Sequence, residues 1–376
     1  MRFPLTTKEE VLLHLNMNYL DPYKEPLNSF LESQGYMHTK EFAQNIMLGE
    51  EIKANNNVEG YLDDLNKVES IINKKKTQVN KDSKQRILNL YKGYLYILKE
   101  KEINQEHLKE LYEILSQNLL DEYDKKYMGD YYRTKPVYIL KKGRLDLEPY
   151  TGIDAEKIQT HMNQFFDFIN TPLLEDNEIN QFIKSQIMHF YFVYIHPYFD
   201  VNGRTSRTVA MWYLLKSKDY PYIIFNRAIA LNQKGYDENI IKGRNKGDVT
   251  LFIKYMLTKV LCELEKQYII HQIQEVQNTS LSKTEAQILE YLLSLNGNIT
   301  IKDLTCFYNR FNEKKKPNEI YEKYLTPLLE KKILQKKRET TTYISPTTPN
   351  CFLNINPDCL KVDKNKIRHL SLEKYK

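Results

Sequence analysis

The chain has 376 residues, 41% of them hydrophobic and 28% charged, with a formal net charge of +6. That length allows two or three domains with a sizeable core, and no apolar run approaches the roughly 20 residues needed to cross a bilayer. The charge is too mild for a chain of this size to imply nucleic-acid binding by itself. Met1 to Glu10 has no apolar signal core and reaches acidic residues early, so the expected location is cytoplasmic, with no membrane partner. Cys262, Cys306, Cys351 and Cys359 form no CxxC pair, which suggests reduced thiols, not a zinc site or a disulfide framework.

Helical periodicity dominates in chain order. Leu62, Leu65, Val68, Ile71 and Ile72 follow three- and four-residue spacing. So do Leu88, Tyr91, Tyr94, Leu95 and Leu98, and then Leu108, Leu111, Tyr112, Ile114 and Leu115. Val137 to Leu140, a Lys-Lys-Gly turn, and Arg144 to Leu147 predict one β-hairpin. Three helices are then expected, at Ser185–Ile195, Thr205–Leu215 and Leu251–Ile270.

Near residue 275 the pattern changes. Gln272 to Ser282 is polar and reads as a linker. Helices are predicted over Thr284–Ser294, Ile301–Tyr308 and Ile320–Lys331, then short strands at Ile333–Arg338 and Thr340–Ile344. Three helices followed by a β-ribbon is the order of a winged helix. No structure is assigned to residues 345–376. The expected organisation is an N-terminal helical region (1–100), a catalytic core (101–272), a winged helix (273–345) and a tail (346–376).

Thirteen residues carry the chemistry, Ile195 to Arg207. His196 follows an apolar helix, and a neutral imidazole is a natural base for a hydroxyl. Asp200 supplies one carboxylate, enough for Mg²⁺ when nucleotide phosphates complete its shell. Asn202 and Gly203 can form a turn whose N–H groups bind an anion at a helix start. Arg204 and Arg207 stand three apart on that helix, a spacing that lets two guanidinium forks grip two phosphates. A lone histidine, turn or arginine pair is ordinarily structural; the combination points to metal-assisted transfer of a phosphate-linked group.

The segment resembles the Fic motif, H-P-F-x-[D/E]-G-N-G-R-x-x-R, at His196, Pro197, Asp200, Asn202, Gly203, Arg204 and Arg207. Tyr198 stands at the usual Phe, and Val201 at the first Gly, where a β-branched residue disfavours positive φ. The resemblance implies a mainly α chain: a Fic-type helical bundle with a β-hairpin flap, plus the C-terminal winged helix. It implies a protein adenylyltransferase that moves AMP from ATP to a hydroxyl of a target protein and of itself. His196 would be the base, Asp200 the Mg²⁺ ligand, Asn202 and Gly203 the phosphate turn, and Arg204 and Arg207 the partners of the distal phosphates. The hairpin would be the flap that aligns a target segment by strand addition. Tyr236 and Asn239 fall where the family places nucleobase contacts, or are plain core and surface residues.

Upstream, Asn55 to Gly60 resembles the inhibitory pattern [S/T]-x-x-x-E-[G/N], with Asn55 in place of Ser or Thr. By that likeness Glu59 pairs with Arg207 and misplaces the γ-phosphate; without it, Glu59 is a solvated residue beside a glycine cap. Two other functions stand beside AMP transfer: a DNA-binding regulator with a weak or inactive Fic domain, and an enzyme that removes AMP. Lys314 to Lys316 and Lys336 to Arg338 suit phosphate contacts with DNA, and equally a solvated face or a protein-docking surface. A homodimer is a further expectation from the family.

Overall fold

The computed structural model describes residues 2–24, 48–75, 78–100, 102–139, 150–173, 176–216, 225–295, 299–338, 351–356 and 358. The chain divides into two compact units, residues 1–259 and 260–376. The expected mainly α architecture holds in both.

In the first unit, a two-stranded antiparallel ribbon, β1 (Arg2–Thr6) and β2 (Leu12–His14), precedes the helices. The helices are α1 (Leu48–Val58), α2 (Leu65–Ile72), α3 (Lys81–Lys99), α4 (Gln105–Ser116) and α5 (Glu122–Tyr127). Strands β3 (Tyr138–Ile139) and β4 (Tyr150–Thr151) follow. Then come α6 (Ile158–Asn170), α7 (Glu178–Ile195), α8 (Asn202–Lys216), α9 (Phe225–Leu231), α10 (Gln233–Lys246) and the first part of α11 (Thr250–Gln277). Asparagine begins several of these helices. The side chains of Asn80, Asn104 and Asn177 accept first-turn N–H groups of α3, α4 and α7, which otherwise lack acceptors.

The centre of this unit is α7. Every residue from Phe182 to Ile195 is buried, including Phe182, Phe190, Tyr191 and Phe192. A helix apolar on all sides must run through a core, not over it. It packs mainly on α8, whose Trp212 is fully buried and donates its indole N–H to Glu100 O at 2.8 Å.

Helix α1 departs from that pattern. Glu51, Lys53, Asn55, Asn56 and Asn57 are all buried, although nothing apolar in their sequence demands it. Polar partners make the burial tolerable. Asn226 Nδ2 donates to Glu51 Oε1 at 2.7 Å, Asn55 Nδ2 to the Tyr94 hydroxyl at 3.2 Å, and Asn56 Nδ2 to Asp63 Oδ2 at 3.1 Å.

Helix α11 corrects one expectation. It runs unbroken to Gln277, so residues 272–277 are helical where a linker was expected. In the second unit, α12 (Lys283–Ser294) and α13 (Ile301–Phe311) each open on a capping box, Ser282 with Glu285 and Thr300 with Asp303. The predicted third helix forms as α14 (Pro317–Ile320), a π turn (Tyr321–Leu325) and α15 (Thr326–Glu330). The wide turn lies just ahead of Pro327, which has no N–H to give.

The sheet of this unit differs in detail from the expected ribbon. Strand β6 (Leu334–Arg338) forms as predicted, but its antiparallel partner is β7 (Cys351–Ile355), from the segment given no structure. Residues 340–344 lie outside the described residues. A third strand, β5 (Ile299–Thr300), pairs with the other edge of β7, giving the order β5-β7-β6. Among the described residues, no helix is long and apolar enough to cross a membrane.

Candidate active site

Helix α7 stops at His196, which takes left-handed backbone angles (φ 55, ψ 61) while its N–H still reaches Phe192 O at 3.0 Å. Pro197 cannot continue the ladder, so the chain turns outward. Asn202 closes the turn with its own carboxamide. Its Oδ1 accepts Tyr198 N–H at 3.0 Å and its Nδ2 donates to Tyr198 O at 2.8 Å. Tyr198 fills the aromatic position by stacking on Tyr112, with centroids 3.5 Å apart and planes within 10°.

Val201 has φ 67 and is 3% exposed. A β-branched residue in this region stores about 1–3 kcal/mol of strain. Neighbours hold it there. Its N–H donates to Asp200 Oδ1 at 2.6 Å, and its carbonyl accepts both Thr205 N–H (2.9 Å) and Thr205 Oγ1 (2.8 Å). The valine thus occupies a glycine-type conformation, and the loop closes around it.

Helix α8 begins immediately after. The N–H groups of Asn202, Gly203 and Arg204 belong to its first turn and have no acceptor within the helix, the usual arrangement of an anion site.

Six of the predicted residues meet in one cavity of about 200 Å³: Glu59, His196, Asp200, Asn202, Gly203 and Arg207. Arg204 does not line it. Its side chain is 4% exposed, and its guanidinium lies 4.0 Å from Asp200 Oδ2 and faces the Tyr61 ring at 6.0 Å. Burial lowers its pKa, against the pull of Asp200 and Glu59. Three-residue spacing puts two arginines near one helical face, but only Arg207 lines the cavity. Asn202 contributes through its backbone, since its carboxamide is spent on the loop.

The cavity wall also includes Val137, Tyr138 and Ile139 on one side of the expected flap and Tyr150 on the other. Strands β3 and β4 pair antiparallel, Tyr138 with Thr151 and Ile139 with Tyr150. The predicted return strand, 144–147, lies outside the described residues. Tyr236 lines the cavity, whereas Asn239 turns its Nδ2 to Gly235 O at 2.8 Å on its own helix.

Glu59 reaches the cavity from the end of α1. Gly60 (φ 81) terminates the helix: its N–H meets Asn57 O at 3.0 Å, and Tyr61 N–H meets Asn56 O at 3.1 Å. This is a Schellman motif, and it aims Glu59 inward. Arg207 NH2 donates to Glu59 Oε1 at 2.6 Å. Asn55 takes the rest of the fork, with Oδ1 accepting Arg207 Nε at 2.9 Å and its carbonyl accepting NH2 at 3.2 Å. Burial opposes the Arg207 charge, yet Glu59 and Tyr236 outweigh it and hold the guanidinium above its ordinary pKa. Gly203 makes the approach possible, because a Cβ there would stand 2.2 Å from Glu59 Oε1. A carboxylate at a helix C-terminus is ordinarily unfavourable; here the arginine offsets the dipole.

Sequence reasoning missed two parts of this arrangement. Asn55, at the position where the resemblance expects Ser or Thr, serves the guanidinium as an acceptor through its carboxamide. Arg133 was not singled out at all, although it is 2% exposed and grips the His196 carbonyl at 2.8 Å. A solitary arginine outside any motif gives no signal until the carbonyls it serves are placed.

Residues 102–214 match the family model described as "Fic/DOC family". That span contains the whole loop from His196 to Arg207. The chain carries a Fic domain. Two curated relatives named "Protein adenylyltransferase Fic", from Drosophila grimshawi and Drosophila mojavensis, are each 30% identical over 95 residues. That stretch is 25% of this chain and 18% of either relative, so the chain spans less than a fifth of the proteins it matches. A crystal structure of a Fic family protein from Desulfovibrio desulfuricans is similar in fold, with a TM-score of 0.54 at 18% identity over 90% of this chain and 95% of that one. A Fic domain containing signaling protein from Bacteroides thetaiotaomicron gives 0.51 at 16% identity, over 65% of this chain and 96% of that one. The Fic fold therefore frames the cavity, with Glu59 supplied from outside the span that the family model matches.

Proposed function

We propose that this protein transfers AMP from ATP to a hydroxyl side chain of a target protein, and that Glu59 restrains the reaction. The observation that carries the proposal is the meeting of Glu59, Arg207 and Gly203 in the cavity that also holds His196 and Asp200. In this reading His196 removes the proton of the incoming hydroxyl as the oxygen attacks the α-phosphate, and pyrophosphate leaves. His196 Nδ1 faces Val193 O at 3.4 Å; a proton held there leaves the lone pair on Nε2 as the base. The first-turn amides of α8 hold phosphate oxygens, and Arg207 takes the distal phosphate once Glu59 withdraws.

The donor set fits Mg²⁺. Asp200 is a single carboxylate with 57% of its side chain exposed, and one carboxylate suffices for an ion that keeps waters and takes its other ligands from substrate phosphates. When bound, Mg²⁺ would neutralise charge on the phosphates.

The second unit fits a winged helix in its element order and its three-stranded antiparallel sheet. We read it as a docking module, with Lys314 and Lys316 exposed on it. Salt-dependent binding of duplex DNA by the full chain would make the partner DNA; its absence would leave a protein partner.

The deciding experiment incubates wild type, His196→Ala and Glu59→Gly with each labelled nucleoside triphosphate and Mg²⁺. Label from ATP on protein hydroxyls, absent in His196→Ala and increased in Glu59→Gly, is the expected result. No label from any nucleotide in either wild type or Glu59→Gly would sink the proposal. Release of AMP from a modified protein without ATP labelling would reverse the direction of the chemistry.

A further inference from the structure

The last carbonyls of α7 have no acceptor role left within the helix, and each needs a donor from elsewhere. Tyr194 O accepts Arg244 NH1 at 2.9 Å. Ile195 O accepts Ile153 N–H at 3.0 Å. His196 O accepts Arg133 Nε at 2.8 Å, and Pro197 O accepts Arg133 N–H at 3.0 Å. All of these donors except Arg244 come from the two segments that flank β3 and β4, and Arg244 is tied to β4.

Arg133 uses its other nitrogens on the same flanking segments. NH1 donates to Lys135 O at 2.6 Å, before β3, and NH2 to Ile153 O, after β4. Arg244 NH2 donates to Thr151 O at 2.6 Å, and its guanidinium lies 4.2 Å over Tyr150 and 4.6 Å over Tyr194. Each arginine therefore joins the base of the flap to the end of the helix that presents His196. Gly152 leaves room for the junction: a Cβ there would meet Arg133 NH2 at 2.6 Å, His196 Cβ at 3.0 Å and Ile195 O at 3.1 Å.

We infer that Arg133 and Arg244 are positioning residues that fix the paired strands β3 and β4 and His196 as one body, so that the strand aligning the target and the base that deprotonates it share a common mount. The inference rests on the AMP-transfer reading for its kinetic consequence. Arg133 matters through shape as well as charge. Its planar fork serves carbonyls from three separate stretches, which a lysine ammonium on a flexible stem cannot span together. His196 sits at positive φ, and Arg133 Nε holds its carbonyl in that conformation.

The test compares Arg133→Lys, Arg244→Lys and Gly152→Ala, each in the Glu59→Gly full-length protein. The measurements are kcat, ATP affinity by equilibrium titration, and the His196 imidazole NMR signal, assigned by its loss in His196→Ala. Arg133→Lys is expected to lower kcat on the order of 100-fold while ATP affinity stays within about twofold, because a displaced base slows chemistry without loosening the phosphate site. The His196 signal should move in Arg133→Lys and in Gly152→Ala, with Arg244→Lys lowering kcat in the same direction. Unchanged kcat in both Arg133→Lys and Gly152→Ala overturns the inference. So does a parallel loss of ATP affinity, which would mark a general structural role. If Arg133→Lys does not fold, Gly152→Ala decides alone. If the parent transfers no nucleotide, the AMP-transfer reading has failed, and an unmoved His196 signal then separately overturns the positioning role.

Discussion

Glu59 and Arg207, 148 residues apart in sequence, meet at 2.6 Å with the arginine side chain 1% and the glutamate side chain 28% exposed. A pair this buried is worth little as net stability, because desolvation offsets the attraction. Its effect is on availability: the one predicted arginine that lines the cavity is already occupied. Hydrogen bonds between charged groups are worth about 1.5–3 kcal/mol, so removing the competitor should raise AMP transfer about 10- to 100-fold. Glu59→Gly assayed with labelled ATP measures this, and equal labelling in wild type and variant refutes the restraint.

Asn55 gives the same arginine two further acceptors, so it should act differently from Glu59. Asn55→Ala leaves the carboxylate in place but removes the Nε partner of a buried guanidinium. Loss of about 1–3 kcal/mol of stability is expected, read as a lower urea midpoint at unchanged m value. ATP labelling should rise less than in Glu59→Gly. A larger rise than in Glu59→Gly would show that Asn55, not Glu59, is the main restraint.

The helices and the active-site loop were legible because each has a local signature. Apolar periodicity marked α3, α4, α7 and α8, and contiguous residues carried the loop. What was not legible depends on groups distant in sequence. Helix α1 is buried through Asp63, Tyr94 and Asn226, and hydrophobic periodicity is blind to a polar network. Strand β7 is short and its partners are β5 and β6, so its sequence alone gave no reason to separate it from a tail. Arg204 lies outside the cavity lining for a third reason: three-residue spacing brings two side chains to nearby positions on a helix but does not say which neighbours each one meets.

Tyr198 supplies an independent check on the packing behind the loop. Its ring is 1% exposed and its hydroxyl has no hydrogen-bond partner among the described residues. A buried hydroxyl left unsatisfied costs about 1–3 kcal/mol, while its ring stacking on Tyr112 is unaffected by deleting the oxygen. Tyr198→Phe should therefore raise stability by about 1 kcal/mol or more in urea denaturation. A destabilised variant would mean the hydroxyl has a partner, such as an ordered water.

Val201 tests how strain and burial trade against each other. Replacement by glycine releases about 1–3 kcal/mol of backbone strain. It also removes buried methyl groups worth about 1.5–3 kcal/mol and loosens the unfolded chain by up to about 1 kcal/mol. The opposing terms partly cancel, so Val201→Gly should change stability by between about +1.5 and −3 kcal/mol. A loss of about 4 kcal/mol, typical of a plain cavity mutation, would show that the positive φ at Val201 carries no strain.

Glu51 makes the docking of α1 depend on pH. Burial pushes its carboxyl up to about 8, against the hydrogen bond from Asn226 and the charge of Arg207; Glu50 adds to the rise and Arg227 opposes it. Tyr94 is itself raised by burial and stays neutral through the range concerned, and Lys53 on the same helix, lowered by burial to about 8, stays mostly protonated below the top of that range. A carboxyl whose folded pKa lies above its unfolded value binds its proton more tightly in the folded state. The stability it contributes is complete below about pH 4.5 and declines as pH rises toward 8. The decline amounts to a few kcal/mol on an order-of-magnitude basis. Glu51→Gln mimics the protonated form, so its stability should change less than wild type between pH 5 and 8 in denaturant titrations. Because Glu59 directly follows α1, protection factors across α1, corrected for the intrinsic pH dependence of exchange, should fall with pH in wild type and stay constant in Glu51→Gln. Identical pH profiles for the two proteins would show that Glu51 does not titrate in this window.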